Sequence, residues 1–137
     1  MNGKHMQIGE VATRTELSLR TIRHYEETGL VVPSARSQGG FRLYTDADVS
    51  RLMVIRRMKP MGFTLDEMRE LLAATDRLDT GDLTDAEREE CLARVRGFEE
   101  AARQRVADLR TQLARAEEFA GALRERLAHS DAPAGTP

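Results

Sequence analysis

The chain has 137 residues, enough for one domain or a small domain with an appendage, and 40% of them are hydrophobic although aromatics make up only 4% and tryptophan is absent. Charged residues reach 32% and the second half is dominated by Ala, Glu, Leu and Arg, a composition that favours long helices over a compact enzyme core. The net charge of −2 hides an asymmetry: between Lys4 and Lys59 ten basic residues stand against six acidic ones, so a basic amino-terminal head precedes an acidic remainder, an electrostatic reason to look for nucleic acid at the head.

Cys91 is the single cysteine, which excludes an intramolecular disulfide and a multi-cysteine metal cage. No apolar run is long enough to span a membrane and the start carries no signal-peptide pattern, so the chain reads as cytoplasmic.

Met1 to His5 read as a loose leader. A first helix is predicted from about Ile8 to Arg14, with Ile8, Val11 and Ala12 inward at helical spacing. Thr15 to Leu17 make a tight turn, and Ser18 stands where an N-cap belongs, its hydroxyl placed to accept from a free backbone N–H. The second helix covers roughly Leu19 to Thr28 and stops at Gly29. Two short helices joined by a three-residue turn give a helix-turn-helix outline. Val31 to Arg36 and Phe41 to Tyr44 read as strands of a hairpin around Ser37-Gln38-Gly39-Gly40, a small wing.

A third helix, capped by Thr45 or Asp46, is expected to reach Met58, with Val49, Leu52, Ile55 and Met58 inward before Pro60 and Gly62 interrupt it. Thr64-Leu65-Asp66-Glu67 is a capping box that opens a fourth helix to about Ala74, burying Leu65, Met68, Leu71 and Leu72. Residues 77–84 are expected to be a polar connection. Thr84-Asp85-Ala86-Glu87, a second capping box, opens the last helix, over 85–128.

From Leu92 that helix carries a heptad repeat. Its a positions are Leu92, Glu99, Val106, Leu113, Ala120 and Leu127, and its d positions are Val95, Ala102, Leu109, Ala116 and Leu123. Only Glu99 breaks the seam, and a repeat sustained over about five heptads argues for a coiled coil. At 1.5 Å per residue the helix is about 66 Å long, with no domain of its own to lie against, so it calls for a partner. The e positions Arg96, Arg103, Arg110 and Arg124 make one flank mostly basic, with Glu117 the exception. Residues 129–137 are read as a disordered tail.

Arg20, Arg23, His24 and Glu27 share one face of the second helix, and Leu19 and Ile22 are assigned to the opposite, buried side. On an isolated helix such a face is ordinarily solvated surface. Here it follows a helix-turn-helix turn and precedes a Gly-Gly hairpin, a context in which guanidinium groups grip phosphates or read guanine edges. Arg36 and Arg42 are candidate phosphate contacts from the wing, Tyr44 a hydroxyl donor and Lys59 a further cation, whereas Phe41 and Leu43 are assigned to the core.

In their order and wording these pieces resemble the MerR family of bacterial regulators. The likeness is carried by Gln7-Ile8-Gly9-Glu10-Val11-Ala12, by Ser18-Leu19-Arg20-Thr21-Ile22-Arg23-His24-Tyr25-Glu26 with Gly29-Leu30, and by the wing Gly40-Phe41-Arg42-Leu43-Tyr44-Thr45. Arg56-Arg57-Met58-Lys59-Pro60-Met61-Gly62-Phe63-Thr64-Leu65-Asp66-Glu67 continues it, so that it covers roughly Met6 to Ala74. The resemblance implies a mainly α fold: a winged helix-turn-helix head of four helices and a β-hairpin (1–76), and an antiparallel coiled coil joining two copies (85–128). It implies a homodimer on palindromic double-stranded promoter DNA, with RNA polymerase at the promoter and action by bending and untwisting the spacer, where many phosphate contacts supply a deformation energy of a few kcal/mol. Ser18, Arg20, Thr21, Arg23, His24 and Tyr25 fall on the family's recognition-helix positions, and Arg36, Arg42, Tyr44 and Lys59 fall on or near its wing and backbone contacts.

The sensing end departs from the family. Metal-sensing relatives carry cysteines after the dimer helix, where this chain has His129-Ser130-Asp131-Ala132-Pro133, and no residues remain for a large drug-binding domain. No metal or cofactor is therefore assigned, and the effector is left open between a small ligand in the dimer interface, a partner protein and none at all. His5, His24 and His129 lie apart with no nucleophile–base pairing or phosphate-cradling loop, which argues against an enzyme. An architectural DNA-bending protein is the nearest rival, distinguished by many weakly related sites; an adaptor whose head binds protein is a further one, distinguished by indifference to loss of Arg20 and Arg23.

Overall fold

The computed structural model describes residues 5–131. Its elements run β1 (Met6–Gln7), α1 (Ile8–Thr15), α2 (Leu19–Glu27), β2 (Ala35–Arg36), β3 (Arg42–Tyr44), α3 (Asp46–Met58), a 3-10 turn (Lys59–Met61), α4 (Leu65–Thr80) and α5 (Asp85–Ser130). The chain divides into two compact units, one through Arg96 and one from Gly97.

In the first unit the helix boundaries follow local chemistry. Thr15, fully buried, donates its hydroxyl to the Val11 carbonyl and accepts from the Leu17 N–H, closing α1 into the turn. Glu16 takes the left-handed conformation there (φ 60°), uncommon for a residue with a Cβ, and its carboxylate is held at 2.8 Å by Arg56 of α3. Ser18 caps α2 by accepting from the Thr21 N–H at 3.0 Å. At the other end Gly29 (φ 82°) lets the chain turn so that the Leu30 N–H returns to the Tyr25 carbonyl. Both Thr45 and Thr64 form reciprocal capping boxes, with Asp48 and Glu67 respectively.

The core gathers Val11, Ile22, Tyr25, Leu30, Val31, Tyr44, Leu52, Ile55, Met58, Met68 and Leu72, all buried. Ile8, Ala12, Val49, Leu65 and Leu71 are half-buried at its edge. Leu19 departs from its assignment: the first residue of α2, it is 40% exposed.

The wing is larger than a hairpin. Its sheet has three antiparallel strands in the order β1-β3-β2, with Met6 opposite Tyr44 and Ala35 opposite Leu43. Met6 is buried, which ties the start of the head to the wing. Two residues are too few to show alternation, so β1 leaves no periodic trace in the sequence.

Tyr44 is fully buried and donates its hydroxyl to Glu26 Oε2 at 3.1 Å. Burial first, then the neighbouring Glu26 carboxylate, pushes its pKa up from 10.0 to about 12. The folded chain therefore holds this proton more tightly than the unfolded chain does. The stabilisation is complete below the free value of 10.0 and is lost as pH rises through about 12. Urea midpoints recorded between pH 8 and 12 are expected to fall above about pH 10 in the parent, and this contribution to the slope is expected to vanish in Tyr44→Phe.

Helix α4 continues six residues beyond Ala74, to Thr80, and stops at Gly81 in the left-handed conformation (φ 70°). The connection is thus 81–84 rather than 77–84. Thr75 and Leu78 are half-buried past the expected end, and the Thr75 and Thr80 hydroxyls bond back to the Leu72 and Arg77 carbonyls. Cys91, on the second turn of α5, is buried beside Ala73, Ala74 and Arg77 of α4.

The second unit is helical from Gly97 to Ser130. His129 and Ser130, expected in the tail, complete α5, whose last turn includes the bond from the Asp131 N–H to the Leu127 carbonyl. The rest of the expected tail, 132–137, lies outside the described residues, as do 1–4 of the expected leader. Within this unit Val106, Leu109, Leu113, Leu123 and Leu127 are 40–64% exposed, on one seam. Glu99, the seam's one break, pairs with Arg103 at 2.8 Å, and in the first unit Arg96 reaches Glu89 at 3.4 Å. Part of the basic flank is thus neutralised within the helix itself.

Candidate nucleic-acid interface

The expected contact residues separate into an outer set and an inner one. Helix α2 presents Arg20, Arg23 and His24 to solvent, while Ile22 and Tyr25 anchor its other face. Beside it the turn after α3 brings in Lys59. Leu17, Arg20, Thr21, His24 and Tyr25 from one side and Arg56, Lys59 and Pro60 from the other line an open groove of about 450 Å³. Residues 39 positions apart in sequence thereby share one basic surface.

Pairing decides which of these cations can take an external anion. Arg14 is bound to Asp46 at 2.7 Å, Arg51 to Asp76 at 2.8 Å, Arg56 to Glu16 at 2.8 Å and Arg69 to Asp66 at 2.9 Å. Among the described residues Arg20, Arg23, Arg57 and Lys59 form neither a salt bridge nor a side-chain hydrogen bond. A charge already paired gains little from a phosphate, whereas an unpaired, hydrated cation releases the phosphate's counterions at small cost. Within residues 5–76 the unpaired set is concentrated on α2 and at the end of α3, with Arg36 on the wing bonded only to a backbone carbonyl. Arg57 was not among the expected contacts, although it stands in the run Arg56-Arg57-Met58-Lys59; its signal is that it is exposed and its neighbour Arg56 is not free.

On the wing the two arginines divide. Arg36 and Arg42 are directly opposite each other across β2 and β3, an arrangement that like charges disfavour. Arg42 is neutralised by an ion pair of its Nε with Glu26 of α2. Arg36 is exposed and bonds only the Gly40 carbonyl, at 3.2 Å, which leaves its charge for an outside partner. Arg42 therefore joins the wing to α2 and does not offer a free charge. Tyr44, with its hydroxyl committed to Glu26 in the core, cannot reach a phosphate, and buried Tyr25 contributes packing. Tyr25 stacks at a tilt on His24, with ring centroids 5.6 Å apart, and so braces the exposed imidazole.

Phe41 reverses its expected place. It is 62% exposed at the tip of the wing, where Ser37 closes the loop by accepting from the Phe41 N–H at 3.1 Å and Gly40 turns with φ 82°. Strict alternation assigned it inward, but the tight loop breaks the alternation one residue before β3 begins. Leu43 is half-buried.

Among the described residues there is no group of three or more His, Cys, Asp and Glu placed to hold a metal, and no helix is long and apolar enough to cross a membrane.

Residues 6–75 match the family described as MerR HTH family regulatory protein, and residues 49–126 match that described as MerR, DNA binding. The HTH-type transcriptional regulator ZntR of Escherichia coli (strain K12) is 45% identical over 67 residues, 49% of this chain and 48% of its own. CueR of Yersinia pestis, also an HTH-type transcriptional regulator, is 47% identical over 68 residues, 50% of this chain and 49% of its own. The chain thus spans about half the length of the curated relatives it matches. Among solved structures, the transcription regulator PbrR691 from Ralstonia metallidurans CH34, in complex with lead(II), is 32% identical with a TM-score of 0.53, covering 96% of this chain and 91% of that one. HiNmlR, a MerR family regulator lacking the sensor domain and bound to promoter DNA, shares the fold with a TM-score of 0.64 at 22% identity, covering 81% of this chain and 80% of that one.

Proposed function

The chain belongs to the MerR family of helix-turn-helix regulators, and from that premise we propose that it is a transcriptional regulator that binds promoter DNA as a homodimer. The observation that carries this reading is the sorting of the head's cations. Those on the core side and flanks are paired with carboxylates, while Arg20, Arg23, Lys59, Arg57 and Arg36 point outward without one. In this reading α2 enters the major groove, Arg20 and Arg23 read base edges or grip phosphates, and Thr21 and His24 add polar contacts. Ser18 serves as the cap that sets the start of the helix. Lys59 and Arg57 take phosphates on one side of the groove, and Arg36 and Phe41 meet the backbone from the wing.

The seam of Leu92, Val95, Ala102, Val106, Leu109, Leu113, Ala116, Ala120, Leu123 and Leu127 joins two copies in an antiparallel coiled coil. Two heads related by a two-fold axis require an inverted-repeat operator. Contacts spread over two half-sites supply the energy to bend and untwist the spacer between promoter elements, which changes how RNA polymerase meets them. The protein acts in the cytoplasm and needs no enzymatic step. The effector is left open, and Cys91 is buried in the single chain.

Fluorescence anisotropy on a promoter duplex across a salt series tests the electrostatic part. With about four or five free cations in each of two heads, a plot of log K against log salt is expected to fall with a slope of roughly −7 to −9. A slope near zero would mean that these cations do not meet phosphates.

A further inference from the structure

The carboxyl end of α2 is held by a different set of arginines from those at its outward face. Arg69 of α4 donates Nη2 to the Thr28 carbonyl at 2.7 Å and Nη1 to Asp66 at 2.9 Å. Arg51 of α3 donates Nε to the Leu30 carbonyl at 2.5 Å, and its Nη1 reaches both oxygens of Asp76 on α4 at 2.8 Å. Thr28 and Leu30 flank Gly29, whose φ of 82° is the point where the recognition helix breaks off. These carbonyls lie past the last turn of α2, where the helix itself supplies no N–H, and the negative end of the helix dipole favours a guanidinium.

We propose that Arg51, Arg69 and Asp76 form a clamp that fixes the angle at which α2 is presented to DNA, so that they are positioning residues for operator binding. The proposal rests on the reading of α2 as the DNA-reading helix. A helix entering a groove tolerates little rotation before bidentate contacts are lost, and α2 spans only nine residues, so its two ends set its direction. Its amino end is fixed by the Ser18 cap and the buried Thr15 turn. On the wing side Glu26 is tied to Arg42 and Tyr44. The clamp supplies the remaining attachment, and it is made by α4, the element that leads into α5. Any force that displaces α4 against α3 acts first on Asp76–Arg51 and thence on Leu30, which gives the recognition helix a mechanical link to the rest of the head.

The chemistry separates a clamp from a phosphate contact by sign. If Arg51 gripped DNA, removing the nearby Asp76 carboxylate would raise affinity, and Arg51→Gln would flatten the salt slope by about one. A clamp predicts the reverse. Asp76→Asn and Arg51→Gln are each expected to weaken binding to the operator duplex by about three- to tenfold at a temperature where circular dichroism shows full folding, with the salt slope unchanged. Binding to a scrambled duplex is expected to stay within about twofold, and the double variant is expected to lose no more than Arg51→Gln alone, since that change already breaks the contact with Asp76. Arg51→Lys, which keeps the charge but has one donor nitrogen to serve both Leu30 and Asp76, should restore part of the loss. Operator and scrambled binding falling equally, a flattened slope, or tighter binding in Asp76→Asn would overturn the clamp. Unchanged operator affinity in both folded variants would overturn it as well. If the parent chain fails to prefer the operator over the scrambled duplex, the reading of α2 itself has failed, which is distinguishable from failure of the clamp.

Discussion

Replacing Leu109 and Leu113 together by aspartate is expected to leave the chain monomeric and to weaken its binding to a promoter palindrome by a factor on the order of a hundred or more. The two leucines are at d and a positions of the same seam and are 46% and 58% exposed in the single chain. A lone helix gives them no apolar surface to cover, and burying each against a partner is worth about 1.5–3 kcal/mol. Aspartate removes that gain and would place carboxylates in the seam, where burial of an unpaired charge costs several kcal/mol more. The isolated head keeps its own core, because neither residue belongs to it. Sedimentation equilibrium would report the loss of the dimer, and anisotropy with a half-site duplex would show whether a single head still binds. Dimers persisting at micromolar concentration would show that the seam is not the interface.

The second large effect is expected on the outward face of α2. Arg20→Ala combined with Arg23→Ala should reduce operator affinity by roughly a thousandfold or more, since each contact to a base or phosphate is worth about 1–3 kcal/mol and a dimer loses each twice. Thermal stability should change little, as neither side chain bonds within the head. Arg42→Ala is the informative contrast. It breaks the ion pair with Glu26 that joins wing and recognition helix, so it should lower stability as well as affinity, although the sequence alone groups all three arginines together.

That contrast marks what the sequence discloses and what it withholds. Patterns set by near neighbours are legible: Ser18 as cap, Thr64 with Glu67, Gly29 as stop, and the heptad from Leu92 all depend on residues within a turn or two. Contacts made across the fold leave no such trace. Arg42 and Arg36 look alike as basic residues beside a hairpin, yet Glu26, sixteen positions before Arg42, neutralises one and leaves the other. Tyr44 reads as a hydroxyl donor until α2 is packed over it. Met6 and Gln7 become a strand only because β3 is there to pair with them, and Phe41 turns outward because the loop closed by Ser37 and Gly40 overrides alternation. Lys59 and Arg20 share a groove only once α3 has been laid beside α2. The fold class was therefore available from local chemistry. The division of the arginines into those that hold the head together and those that face outward was not.

Two such heads, joined as a dimer, are expected to read an inverted repeat in promoter DNA. This is tested most directly by incubating the purified protein with genomic fragments and sequencing those retained. A small set of fragments sharing one palindrome, placed between promoter elements, is the predicted result, and the same set should be lost with Arg20→Ala and Arg23→Ala. Retention of many fragments with no common site would contradict sequence-specific regulation in favour of an architectural role, and no retention by the parent protein would contradict the claim that it binds DNA by itself.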